Sequence, residues 1–375
     1  MGTLNGYKII ELAGIGPGPM AGMMLADMGA EVIRIERPDN PSSRTLDISY
    51  RGKKSVAINL KNPEGLAITL KLIGESDVLI DPFRPGVCEK LGIGPEVCLG
   101  IRPELIYGRI TGWGQNGPLA QAAGHDINYI SITGVLHAIG NKEQPIIPLN
   151  LVGDMGGGGM LLVNGILAAL LERLQSKKGQ VIDAAMVDGS AQQMWMTHSL
   201  QSTGQWNIAK RHGNMLDGGA HYYNIYRCSD LKFISLGAIE PQFYNKFIEL
   251  VDPENKHNLG SQDARDWKPL KSRLEKMFWQ QSRDYWCALL EGSDACVAPV
   301  LDIIEASQHP ANIARDTYTV IDGRLHPAPA PRFSRTPSNI RSGPDRPGSD
   351  TDQILNSAGF SDSELLRLRK CGAIG

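Results

Sequence analysis

Residues 7–12 form a short apolar run that ends in the turn Gly14-Ile15-Gly16-Pro17-Gly18-Pro19. A run of that length closed by turn residues reads as a buried strand. Met20 to Met28 reads as a helix stopped by Gly29, and Glu31-Val32-Ile33-Arg34-Ile35-Glu36 as a second strand, completing a βαβ unit. The alternation continues with a strand from Ser55 to Leu60, a helix from Pro63 to Ser76 and a strand at Val78-Leu79-Ile80. A helix after Pro85 and a strand from Leu105 to Ile110 follow. This pattern predicts an α/β fold with a parallel sheet covered by helices.

The apolar stretch from Gly156 to Gln175 reads as a helix stopped by Lys177-Lys178-Gly179. Gln180 to Ala184 reads as a strand, and Met186 to about 202 as a long helix whose Met194, Trp195 and Met196 are packing residues. Then the character changes. Tyr222 to Cys228 and Phe233 to Leu236 predict a hairpin, followed by helices near 241–251, 267–278 and 282–291. Residues 326–349 are rich in Pro, Ser and Arg and predict an irregular surface crossover. Ser361 with Glu364 three residues on is a capping-box pattern that opens a last helix. The expected organisation is a large domain over 1–185, a linker helix over 186–204, a smaller α+β domain over 205–325 and a final segment over 326–375.

Composition narrows the partners. A formal net charge of -2 argues against non-specific nucleic-acid binding. No apolar run is seen to approach the roughly 18 residues of a membrane span, and no secretory leader is expected at the N-terminus. A cytoplasmic protein is expected, with cytosol or organelle left open. The six cysteines are scattered without a two-residue gap and read as reduced thiols. The eight histidines lack metal-ligand spacing, so no metal is expected.

Gly16-Pro17-Gly18-Pro19-Met20-Ala21 matches a degenerate dinucleotide fingerprint, with Glu36 at the end of the next strand. A nicotinamide dehydrogenase is therefore an alternative on spacing. Pro17 and Pro19, however, remove two N–H donors from the loop that would hold a pyrophosphate. A tight strand-to-helix turn is the preferred reading.

The chemistry concentrates elsewhere. His125 and Asp126 lie in Gly124-His125-Asp126-Ile127-Asn128-Tyr129, Asp154 precedes a four-glycine run, and Glu240 lies in Gly237-Ala238-Ile239-Glu240-Pro241. One imidazole and several carboxylates in glycine-edged polar segments suit moving a proton on and off a carbon acid. Taken singly, Asp126 and Asp154 would read as helix caps, His125 as a structural histidine and Glu240 as a surface residue. Basic residues gather in the first quarter: Arg34, Arg37, Arg51, Lys53, Lys54, Lys61, Arg84 and Lys90. A solvated basic face is the alternative for any one of them.

Together with Glu11-Leu12-Ala13-Gly14, Thr111-Gly112-Trp113-Gly114-Gln115, Leu149-Asn150-Leu151-Val152-Gly153-Asp154, Asn214-Met215-Leu216-Asp217-Gly218-Gly219 and Pro329-Ala330-Pro331-Arg332-Phe333, these segments closely resemble α-methylacyl-CoA racemases of the family III CoA-transferase superfamily. The resemblance covers most of the chain. It implies a Rossmann-like large domain and a small domain, an interlocked homodimer with shared active sites, and a final segment that returns to the large domain. It implies a 2-methylacyl-CoA thioester substrate, with no cofactor beyond the CoA that the substrate carries. His125 and Asp154 would serve opposite faces of C2, Glu240 of a partner chain would orient His125, and Asp126 would bond near the thioester oxygen. Arg37 and Lys61 would lie near the ribose phosphate, Arg84 and Lys90 near the pyrophosphate, and Asn59 and Leu60 beside the adenine. His221 stands where proline is expected in close relatives, an additional imidazole near the site. The alternatives are a family III CoA-transferase with Asp154 as nucleophile and a non-catalytic acyl-CoA binding protein.

Overall fold

The computed structural model describes residues 2–38 and 47–375. The chain divides into two compact units: Met1–Thr133, Leu149–Gln193 and Tyr318–Gly375 form the first, and Gly134–Pro148 with Met194–Thr317 the second.

The first unit is built on six parallel strands, β1 (Lys8–Leu12), β2 (Glu31–Glu36), β3 (Lys54–Ala57), β4 (Val78–Asp81), β5 (Ile106–Thr111) and β6 (Gln180–Ala185), in the order β3-β2-β1-β4-β5-β6. Successive side chains leave opposite faces of a strand. Accordingly Ile10 and Leu12 enter one core with Ile33, Ile35 and Leu79, while Ile9 enters the other with Val32, Val78 and Ile80. Both faces are covered, as near-continuous apolar strands require. The helices Thr351–Ser357 and Asp362–Lys370 supply Ile354, Leu355, Leu365 and Leu368 to the first core, so the final segment packs within this unit. Ser361 and Glu364 form the expected capping box.

Boundaries shift for local reasons. The first helix is Pro17–Asp27, because proline is pre-organised for the opening turn and loses no helical bond there. The segment from Met186 is two helices, Met186–Gln193 and Trp195–Ser202, broken at Met194 where the compact units divide. The helix placed at Gly156 instead begins at Leu151, with a π-helical stretch Leu151–Met160 continuing into the α-helix Leu161–Ser176. This helix is long and apolar enough, by length and composition, to cross a membrane, which the sequence reading did not anticipate. Its Leu162, Val163, Ile166, Ala169 and Leu170 are buried in the core of this unit.

The second unit carries an antiparallel sheet of β7 (Tyr223–Arg227), β8 (Phe233–Gly237) and β9 (Val297–Val300) in that order. The hairpin was legible in the sequence; β9 was not, since four residues containing Pro299 carry little strand signal. Helices Pro241–Val251, Trp267–Phe278 and Arg283–Leu290 contribute to a core rich in aromatics, where Tyr226 stacks on Phe278 at 5.0 Å.

Candidate active site

In open parallel sheets ligands bind beyond the carboxyl ends of the strands. Arg37 follows β2, Asn59, Leu60 and Lys61 follow β3, and Arg84 and Lys90 follow β4. A cavity of about 190 Å³ opens there, lined by Pro82, Arg84, Trp113, Tyr129 and Met186. A larger, open depression of about 680 Å³ lies at the amino ends, beside Tyr7, Lys8 and Glu31, away from His125 and Asp154.

The basic residues of the first quarter separate into two groups. Arg34, Lys53 and Arg51 are buried and paired, the first two with Glu11 and the third with Asp27. Lys54 pairs with Glu31. Arg37, Lys61, Arg84 and Lys90 are exposed, and among the described residues no carboxylate lies within 4.0 Å of their cationic groups. Asn59 and Leu60 are half-buried, and the backbone N–H of Asn59 donates to Ala373 O at 2.9 Å. Glu36 is buried, accepting from Arg34 Nε at 3.0 Å and from the Ser55 hydroxyl at 3.3 Å. An acid so engaged is not presented to a ribose, which removes the second half of the dinucleotide fingerprint.

His125 is the N-cap of the helix Asp126–Ile132 and is exposed; its backbone N–H donates to Asn128 Oδ1 at 3.0 Å. Asp126 is the first helical residue, and its side chain is buried. Its Oδ1 accepts the backbone N–H of Asp154 at 2.7 Å, joining the two motifs across 28 residues. Its Oδ2 is buried without a hydrogen-bond partner among the described residues. Gly153 is required at this junction, because a Cβ there would stand 2.5 Å from Asp126 Oδ1.

Asp154 lies in the first turn of the π-helical stretch and is half-buried. Asn150 Nδ2 donates to its Oδ2 at 3.3 Å. Burial pushes its carboxyl above the usual range; the Asn150 bond opposes this, the Asp126 charge adds to it and His125 opposes it. A carboxyl so placed holds a proton more readily than an exposed aspartate. Gly16 faces it, with a built Cβ only 3.6 Å from Asp154 Oδ2. The turn that resembles a dinucleotide loop thus has a carboxylate against it.

Tyr129 walls the same region. Its ring meets Trp113 edge-on at 4.8 Å, and its hydroxyl donates to Gly124 O. Its phenol is pushed up by burial and then by Asp154, with Arg84 opposing, so Arg84 shares the field of the acid cluster. Nothing in the sequence marks Tyr129 or Gly153 for this site, and for Asn150 the one usable signal is its four-residue spacing from Asp154.

Glu240 belongs to the second unit, as the exposed N-cap residue of the helix Pro241–Val251. His221 is fully buried in the core of the same unit. Its Nε2 lies 2.8 Å from the Tyr244 hydroxyl, which itself donates to Leu259 O at 2.6 Å. Burial lowers its pKa to about 4, so it is a neutral core group at physiological pH. Among the described residues no cluster of His, Cys, Asp or Glu could hold a metal ion.

The chain belongs to CoA-transferase family III, whose signature matches residues 4–351. Among its relatives, α-methylacyl-CoA racemase of Mus musculus is 42% identical over 98% of this chain and 96% of its own, and that of Homo sapiens is 41% identical with the same coverage. Succinyl-CoA:glutarate CoA-transferase of Homo sapiens is 29% identical over 99% of this chain and 90% of its own. The crystal structure of a CAIB/BAIF family protein from Brucella suis superposes with a TM-score of 0.82 at 25% identity, covering 95% of this chain and 99% of that one.

Proposed function

We propose that this chain is a racemase that inverts C2 of 2-methylacyl-CoA thioesters by 1,1-proton transfer. The observation that supports the reading is the Asp126 bridge, which ties the helix that His125 caps to Asp154, a half-buried carboxyl held above its usual range. The 41–42% identity to proteins named as such racemases supports it.

Removal of the C2 proton leaves an enolate, whose charge rests on the thioester oxygen. Inversion requires a base on one face and an acid on the other. His125 and Asp154 take these roles and exchange them with the hand of the substrate. One proton is shared between them at the start, and one remains at the end. The backbone N–H groups at the start of the Asp126 helix are assigned to the enolate oxygen, and the Asp126 carboxylate to holding the Asp154 backbone beside them. Glu240 of a second copy is assigned to orient His125. The exposed Arg37, Lys61, Arg84 and Lys90 suit the phosphates of CoA, and Asn59 with Leu60 the adenine.

A family III CoA-transferase would instead use Asp154 to attack the thioester carbonyl. Incubation of one epimer in deuterium oxide separates the two. The racemase incorporates deuterium at C2 while the epimer ratio moves toward equality. Transfer of CoA to a free carboxylate without deuterium at C2 would establish the transferase instead.

A further inference from the structure

Beneath the turn Gly14–Pro19 lies a buried charge cluster that the proposed chemistry does not use. Glu11 is fully buried; its Oε1 accepts from Arg34 Nη1 at 2.7 Å and its Oε2 from Lys53 Nζ at 2.5 Å. Arg34 also donates to Glu36 and to the Tyr50 hydroxyl. Two further bonds leave the cluster for the turn itself. Arg34 Nη2 reaches Gly14 O at 3.4 Å, and Lys53 Nζ reaches Pro19 O at 2.8 Å. The cations therefore hold a carbonyl on each side of Gly16: Gly14 in the turn and Pro19 in the opening turn of the helix Pro17–Asp27. Gly22 lets the cluster sit against the first helix, since a Cβ there would stand 1.8 Å from Glu11 Oε2.

The other side of the turn is the back wall of Asp154. Gly16 faces Asp154 Oδ2, while Cβ atoms built at Gly158 and Gly159 would stand 3.2 Å from Pro17 Cβ and 3.1 Å from Pro17 O. The turn is poor in its own donors, having prolines at 17 and 19. Burying two carboxylates and two cations is costly, and apolar side chains could fill the same space. What apolar side chains cannot supply is a directed bond on each side of Gly16.

We propose that Lys53, with Arg34 and Glu11, is a positioning residue that sets Asp154 through the Gly14–Pro19 turn, and so supports proton transfer on the Asp154 face of C2 only. This rests on the racemase reading. Misplacing a catalytic group by about 1 Å can cost on the order of a hundredfold in rate. A general structural role would weaken both faces alike.

The test follows C2-proton washout from each separate epimer of a 2-methylacyl-CoA. Asp154→Asn first identifies the epimer that depends on Asp154. Lys53→Met and the charge-balanced double variant Lys53→Met/Glu11→Gln are then compared with the wild type, with folding checked by circular dichroism. The expected result is a loss of tenfold or more in washout of the Asp154-dependent epimer, with the other epimer within about threefold of wild type. Equal losses for both epimers, no loss for either, or failure of both variants to fold would overturn the inference. Wild-type protein that washes out neither epimer would instead overturn the racemase reading.

Discussion

Gly153→Ala tests the junction between the two acidic motifs. A methyl group at 153 would stand 2.5 Å from Asp126 Oδ1, 3.0 Å from its Cγ and 3.2 Å from Ile130 Cγ2. Ordinary contact begins near 3.4 Å, so the Asp126 carboxylate must retreat by roughly 0.9 Å. Its 2.7 Å bond from the Asp154 N–H cannot survive that movement unchanged. Overpacking costs about 1–3 kcal/mol, and a weakened bond to a charged acceptor about 1.5–3 kcal/mol. Added together they give a destabilisation of about 2.5–6 kcal/mol, measured by urea unfolding. Displacing Asp154 should lower the rate of C2-proton exchange on the order of a hundredfold. Gly100→Ala is the control: no atom lies within 4 Å of its built Cβ, and the residue is helical. That change should leave exchange intact and stabilise by about 0.5–1 kcal/mol. Gly153→Ala protein with wild-type stability and exchange would refute the geometry of the junction.

The parallel sheet was legible because buried strands and amphipathic helices alternate with glycine and proline turns between them. The His125, Asp126 and Asp154 group was legible only through the resemblance, since taken singly each residue matched a capping or structural role. Asp126 does sit at a helix start, yet its side chain reaches Asp154, 28 residues away, a pairing with no local signature. The basic residues show the limit of composition. Arg34, Lys53 and Arg37 look alike in sequence, but the first two are in or beside strands β2 and β3 and are buried, whereas Arg37 lies past the end of β2 and is exposed. The π-helical residues 151–155 ahead of Gly156 were illegible because Gly153 depresses helix propensity, while the close approach of Asp126 that requires it is tertiary.

Three other outcomes follow from the electrostatics. Asp126→Asn removes a charge that raises the Asp154 carboxyl, so the acidic limb of the exchange rate in the direction that uses Asp154 as base should move to lower pH, read from a pH profile against wild type. His221 has its pKa lowered in the folded state, so its contribution is present above the unfolded value of 6.5 and is lost as pH falls toward about 4. At about 1.4 kcal/mol per unit this is roughly 3 kcal/mol, and His221→Phe should flatten that part of the stability-pH curve measured by urea unfolding. Arg84→Ala and Lys90→Ala should each raise KM for the thioester about tenfold, with a weaker dependence of KM on salt and kcat within about threefold, in steady-state kinetics.

The most direct measurement compares His125→Ala and Asp154→Asn for loss of the C2 proton from each epimer supplied separately, with CoA binding confirmed in both variants. Each variant should abolish exchange from one epimer and spare the other, and the spared epimers should be opposite. Loss of the same epimer in both variants would contradict a site in which imidazole and carboxyl flank a planar enolate.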